Sequence, residues 1–272
     1  MIKIVYACND GYFDGLYLSI LSIVRRTRQP ISFYLLSGDF TDLDKKYTIL
    51  SNKHSKIIND LVKEYNSKSS FEVLDCTDLA NKYIHVKHNK HFSPYANLRL
   101  LMHFLKPLTD KLIYLDSDVM VCGDINELYN INVDGYELAA CHNWWFRHTL
   151  TKNTFNSGVL LINMDECKKT DYFNKALALL NSHSYKWADQ TALNKAATKM
   201  KYFPGNDYRF NRQSEKIHKG DVIKHFCNRW RGWPFWCNIK QWDVKNVHKH
   251  LKIFIFDEDY KIWKESKTKN KE

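Results

Sequence analysis

Lys111-Leu112-Ile113-Tyr114-Leu115-Asp116-Ser117-Asp118-Val119 decides how this chain is read. Five strand-forming residues, 111–115, run straight into two carboxylates at i and i+2. If the backbone stays extended, both carboxylates lie on one side of the chain. Two hard oxygen ligands at the end of a buried strand suit Mg²⁺ or Mn²⁺, especially where a diphosphate completes the shell. The motif is short, and a pair of turn-forming Asp ahead of Gly123-Asp124 is an equally weighted alternative.

Upstream, strand and helix patterns alternate. Residues 2–7 are an apolar, β-branched run, and residues 14–26 carry Leu16, Leu18, Ile20, Leu21 and Ile23 at helical spacing. Residues 31–36 and 71–75 read as strands around one or two helices within 42–65. Ser93-Pro94 opens a further helix, with Ser as N-cap and Pro at the first helical position. This rhythm predicts an α/β fold with a mainly parallel sheet, in which ligands bind at the carboxyl ends of the strands. Downstream, 136–142 and 158–164 read as buried strands, and 167–181 and 188–198 as helices. The polar, lysine-rich stretch 261–272 is expected to fray.

Composition excludes several classes. A chain of 272 residues with 44% hydrophobic and 26% charged residues buries a real core and is not disordered. No apolar run approaches the roughly 20 residues that span a bilayer, and Met1–Tyr6 reads as a strand rather than a signal peptide. The seven Cys are scattered without a C-x-x-C pair, which argues against a zinc framework and for a reducing cytoplasm. The net charge of +11 is uneven: residues 215–256 hold nine Lys/Arg against three acids, and five of the eight Trp lie between 230 and 263. Nucleic acid, an anionic membrane or a phosphate-bearing small molecule would each suit such an excess.

Three further stretches carry candidate chemistry. In His225-Phe226-Cys227-Asn228-Arg229-Trp230-Arg231-Gly232-Trp233 an imidazole would complement two carboxylates around a borderline metal, and Arg229 and Arg231 would hold phosphate oxygens. The alternative is a surface strand of aromatic and basic residues. Asp189-Gln190 could bond a polyhydroxylated ligand, or Asp189 could simply favour a helix start. Asn156-Ser157-Gly158 permits close backbone approach to a ligand, or is a plain turn.

Taken together, these segments resemble glycosyltransferase family 8, the retaining enzymes that include lipopolysaccharide galactosyl- and glucosyltransferases and, more distantly, glycogenin. The resemblance runs from about residue 3 to 236. It rests on five stretches in order: Ile4–Tyr12, Asn97-Leu98-Arg99-Leu100, Leu112–Asp118, Asn156–Asn163 and Asp189–Asn194. It implies a single Rossmann-like, GT-A type nucleotide-sugar-binding domain over 1–236, with a small basic and aromatic C-terminal extension over 237–272. Ala7, Asn9 and Tyr12 would contact uracil and ribose. Asp116, Asp118 and His225 would hold Mn²⁺ or Mg²⁺, with Ser117 between the two acids beside the nucleotide. Arg99 would contact the donor sugar or diphosphate, Asn156 and Asp189 the sugar hydroxyls, and Gln190 would lie close to the anomeric carbon. Arg231 would replace the phosphate-binding Lys of the family's H-[FY]-x-G-x-x-K-P-W segment, where Asn228 and Gly232 also depart. Asn9 and Asn143 stand where acids are frequent, and Asn97 stands where the family has Tyr.

The implied reaction moves a hexose, glucose or galactose, from a UDP-sugar to a hydroxyl of a glycan, glycolipid or protein, with retention. Gln190 is a poor nucleophile, so a front-face route is favoured, with displacement through Asp189 as the alternative; no paired acid and nucleophile of a glycoside hydrolase is identifiable. The rival readings are another Mg²⁺- or Mn²⁺-dependent nucleotide-using enzyme, such as a nucleotidyltransferase, and a nucleic-acid-binding protein. The first would want a Gly-rich basic loop where this chain has Cys8-Asn9-Asp10-Gly11, and the second shows no signature. Nucleic acid is therefore not an expected partner. The expected location is the cytoplasm, with peripheral membrane contact through the C-terminal segment left open.

Overall fold

The computed structural model describes residues 1–86, 93–143, 154–185, 187–205, 207–213, 216–227, 229–230, 236–237 and 239–269, and of 207, 229, 230, 236 and 237 the backbone alone. Arg231, Asn228 and Gly232 lie outside the described residues, as does the Arg229 side chain.

The sheet begins with β1 (Ile2–Ala7), β2 (Ile31–Ser37) and β3 (Ser70–Asp75), which run parallel with Ile4 opposite Phe33 and Phe33 opposite Phe71. β4 (Lys111–Leu115) joins the other side of β1, again parallel. The order is completed by β7 (Phe155–Asn163), β6 (Leu138–His142) and β8 (Met200–Tyr202), and β5 (Val119–Val121) leaves the main sheet. Only β7 runs against its neighbours, so the seven-stranded sheet β3-β2-β1-β4-β7-β6-β8 is mostly parallel, as the alternation predicts. The strands read as continuous apolar runs because both faces are covered. One face packs on α1 (Phe13–Val24) and α2 (Asn52–Tyr65). The other packs on the 3-10 turns Pro94–Phe104, α6 (Tyr172–Ser182) and α7 (Ala188–Ala196), with the short α3 (Thr77–Tyr83), α4 (Asn126–Tyr129) and α5 (Met164–Lys169) between elements.

Several boundaries move from their expected places for local reasons. The 42–65 helix begins at Asn52, where the Ser51 hydroxyl accepts from the His54 amide; residues before it form turns. The expected Ser93-Pro94 start is present, with Ser93 Oγ accepting from Tyr95 N. The 167–181 helix is two, broken at Asp171 in the left-handed region (φ 58°).

The frayed tail expected at 261–272 is a helix as far as it is described, α9 (Asp257–Lys269), preceded by the single turn α8 (Val244–Asn246). Phe256, Tyr260 and Trp263 recur at helical spacing and are buried in the same core as α1. Composition hid that face among lysines. Ile239, Val247, Leu251 and Ile253 join the same core. Asp259, fully buried, pairs with Arg26 at 2.7 Å and Arg25 at 2.9 Å, and Trp263 Nε1 donates to Asp14 at 3.0 Å. Removing one partner of a buried ion pair strands the others, so Asp259→Ala should cost about 3 kcal/mol. Equilibrium urea unfolding reads that loss; an unchanged midpoint would show that the pair holds nothing.

Candidate active site

β4 ends where its backbone is still held: Asp116 N donates to Gly158 O of β7 at 2.8 Å. The chain then turns through Ser117-Asp118 and resumes as β5, which pairs antiparallel with β9 (Ile223–His225). In that register Val119 faces His225, and Phe226 N donates to Asp118 O at 2.8 Å. The pairing carries an imidazole 107 residues further along to the two carboxylates. His225 Nε2 lies 3.1 Å from Asp118 Oδ1 and 3.9 Å from Asp116 Oδ2. One ligand atom from each of the three residues falls within 4.8 Å of the others. Two carboxylates and one imidazole suit Mn²⁺ or Mg²⁺ better than a soft ion, so the donor set fits the expected metal.

Each ligand is fixed from behind. His225 Nδ1 lies 3.0 Å from Asn211 Oδ1, an arrangement that directs Nε2 at the acids. Asn211 Nδ2 in turn donates to Asn156 Oδ1 at 2.9 Å, which also accepts from Gly158 N. Asp116 Oδ1 accepts from Arg99 Nη2 at 2.8 Å and Tyr114 OH at 3.2 Å. Arg99 is buried, and it reaches further: Nη1 to Ser157 O, Nε to Ala96 O, with its guanidinium over the Tyr114 ring. Its Nε also lies 3.0 Å from Asp189 Oδ2, but that N–H points at Ala96. Asp189 Oδ2 is therefore charge-paired without a hydrogen bond. Burial raises the pKa of the Asp189 carboxyl, against the pull of Arg99.

These groups line a cleft of about 680 Å³ at the carboxyl ends of β1 and β4. Ala7, Asn9, Tyr12, Arg99, Asp116, Ser117, Asp118, Asn143, Asn156, Gln190 and His225 all face it. Asp189 lies just behind, buried on Arg99. Asn9 Nδ2 donates to Lys46 O at 2.9 Å, and Tyr12 meets Trp242 edge-on. Gln190 Oε1 accepts from Ser157 N at 3.2 Å. Asn97 instead lines a neighbouring cavity of about 800 Å³, while Tyr95, two residues earlier, faces the cleft.

Two residues escaped the sequence reading. Lys240 enters the cleft, and its Nζ donates to Asp118 Oδ2 at 3.0 Å over the Tyr12 ring. Burial disfavours both charges, yet Asp118 raises the Lys240 pKa, and Lys240 with His225 holds Asp118 well below the usual carboxylate range. Gln213 also lines the cleft. The signal for both was weak, one Lys and one amide in segments without periodicity.

The sequence from residue 3 to 237 matches the profile of glycosyl transferase family 8. The chain belongs to glycosyl transferase family 8. It is 27% identical over 272 residues to a candidate glycosyltransferase of Haemophilus influenzae, covering 90% of this chain and 77% of that one. It is 24% identical over 274 residues to the lipopolysaccharide 1,2-glucosyltransferase of Escherichia coli, covering 89% and 77%. Against Streptococcus pneumoniae glycosyltransferase GlyB it is 30% identical over 71% of its length, and that match spans 44% of GlyB. The galactosyltransferase LgtC, solved with donor and acceptor sugar analogues, superposes with a TM-score of 0.70 at 17% identity, covering 97% of this chain and 96% of LgtC. The fold of this family 8 enzyme is thus of GT-A type. Among its described residues no helix is long and apolar enough to cross a membrane.

Proposed function

We propose that this glycosyltransferase moves a hexose, glucose or galactose, from a UDP-sugar to a hydroxyl of a glycan, glycolipid or protein acceptor, with retention at the anomeric carbon. The observation that carries the reading is the Asp116–Asp118–His225 cluster opening into a cleft whose wall is Ala7, Asn9 and Tyr12. Ala7 admits a flat base, and Asn9 and Tyr12 flank it. Asp116, Asp118 and His225 would hold Mn²⁺ or Mg²⁺, which when bound offsets the negative charge of the departing diphosphate. Lys240, which donates to Asp118, adds a fixed positive charge beside the acids, in addition to the one expected of Arg231.

The carboxylates are arranged for positioning rather than covalent catalysis. Asp189 is held against Arg99 and buried, so its oxygen is charge-paired rather than presented to the anomeric carbon. Gln190 is oriented by Ser157, which leaves its amide nitrogen without a protein partner among the described residues and able to donate to a sugar oxygen. This favours front-face attack by the acceptor hydroxyl, with Gln190 stabilising charge beside the anomeric centre. Asn156 would hold a sugar hydroxyl.

Thermal unfolding tests the reading. UDP with Mn²⁺ at a hundredfold over its Kd should add about 2.7 kcal/mol of stability. A UDP-glucose and UDP-galactose panel should then release UDP. A shift with an oligonucleotide but none with UDP and Mn²⁺ would overturn it.

Contact with an anionic membrane is part of the same proposal. Phe254 and Ile255 are adjacent and half exposed, with the exposed Lys249, Lys252 and Lys261 around them in the sequence outnumbering the exposed Asp257 and Glu258. Because each is already about half buried, the two side chains together would contribute about 1.5–3 kcal/mol on entering the interface. Phe254→Ser with Ile255→Ser should lower co-sedimentation with phosphatidylglycerol vesicles at least about tenfold; equal binding by both proteins would reject the contact. Point changes suit this test because the neighbours Leu251, Ile253, Phe256, Tyr260 and Trp263 belong to the core, so removing the whole segment would disturb the fold.

A further inference from the structure

Gln213 is 2% exposed, lines the cleft, and finds no hydrogen-bond partner for either its Nε2 or its Oε1 among the described residues. The local backbone explains why it faces inward. Arg212 N donates to Ile223 O and His225 N donates to Arg212 O, so the chain runs extended beside β9. Arg212 turns outward to Asp221, with contacts of 2.7 and 2.8 Å. Its neighbours at either side therefore point the other way. Asn211 bonds His225 and Asn156 there, and Gln213 shares its side.

A buried amide with neither group satisfied costs free energy that burial alone does not return. It presents one acceptor and two donors, the complement of a hydroxyl that both gives and takes. On the reading above, Ala7, Asn9 and Tyr12 take the nucleoside and the acids the diphosphate. Gln213 shares its side of the chain with Asn211, which bonds Asn156, the residue assigned to a sugar hydroxyl, so the hydroxyl-rich group it would meet is the donor's hexose. We propose that Gln213 is a specificity-determining residue that hydrogen-bonds a hexose hydroxyl of the sugar nucleotide. This rests on the UDP-sugar reading above.

Gln213→Met removes both polar groups at nearly the same volume. Titration calorimetry with Mn²⁺ should show UDP affinity within about twofold of wild type. The Kd of at least one of UDP-glucose and UDP-galactose should rise about tenfold. Without ligand, the melting temperature should be no lower than wild type, because an unpaired amide has been removed from the interior. Gln213→Asn, which keeps the amide but shortens its reach by one methylene, should also weaken UDP-hexose and spare UDP.

Unchanged UDP-hexose binding in both variants would overturn the assignment and leave the parent reading standing. So would equal weakening of UDP and UDP-hexose, or a lower melting temperature in both variants with binding intact, which would mark a structural amide. Absence of UDP binding by the wild type would instead remove the parent reading, and this assignment with it.

Discussion

Asp118→Asn is expected to lower kcat/KM by about 10²–10³-fold and to leave the fold intact. The magnitude is that of removing one fixed electrostatic stabiliser from a site where charge develops. Asp118 is the residue on which the cluster converges: His225 lies 3.1 Å from one of its oxygens, and Lys240 donates to the other at 3.0 Å. The amide keeps the shape and loses the charge. His225 and Lys240 then face each other across a neutral group, and an ion of the expected kind loses a hard anionic ligand. A Mn²⁺ titration separates this from misfolding. Weakened metal affinity together with a near-wild-type melting temperature is the expected pair of results, and full turnover by the variant would end the metal-site assignment.

The strand 111–115 and the acids after it were legible because both signals are local: an apolar run that stops, then two Asp at even spacing. The parallel half of the sheet was legible for the same reason. The antiparallel course of β7 was not, because a buried run such as Gly158–Asn163 looks the same in either direction. His225 could be placed by resemblance but not by spacing, since the β5–β9 pairing that delivers it joins distant segments. Lys240 depends on the chain folding back from the C-terminal side, where Gln241 Nε2 donates to Ser117 O at 2.5 Å and anchors it beside the acids. A lysine-rich composition gave no hint of that anchor. Arg99 was expected at the donor sugar or diphosphate. The structure has it face the cleft and tie together Asp116, Ser157 and Asp189, so this wall of the cleft is organised by Arg99 through contacts to protein.

Gly158→Ala should be as damaging as the loss of a ligand, although it adds one carbon and removes no chemistry. A Cβ at Gly158 would sit 2.3 Å from His225 Cε1 and 2.8 Å from Asp116 Oδ2, too close for either to remain. None of the three can easily retreat. Gly158 O holds Asp116 N, and Gly158 N is held by Asn156 Oδ1. Asp116 is tied to Arg99, and His225 to Asn211 and the β5 pairing. The strain of overpacking is about 1–3 kcal/mol, read as a fall in melting temperature of about 2–4 °C for each kcal/mol in a chain near this size. Displacing a ligand by even about 1 Å costs on the order of 10²-fold in rate, so turnover should fall at least that far and Mn²⁺ affinity with it. Gly123→Ala is the control: its added Cβ would meet Val222 Cα at 3.5 Å, an ordinary contact, and should change neither reading. If Gly158→Ala binds Mn²⁺ and turns over like wild type, then Asp116 and His225 are not held at the spacing described, and the small residue after Ser157 serves the strand rather than the site.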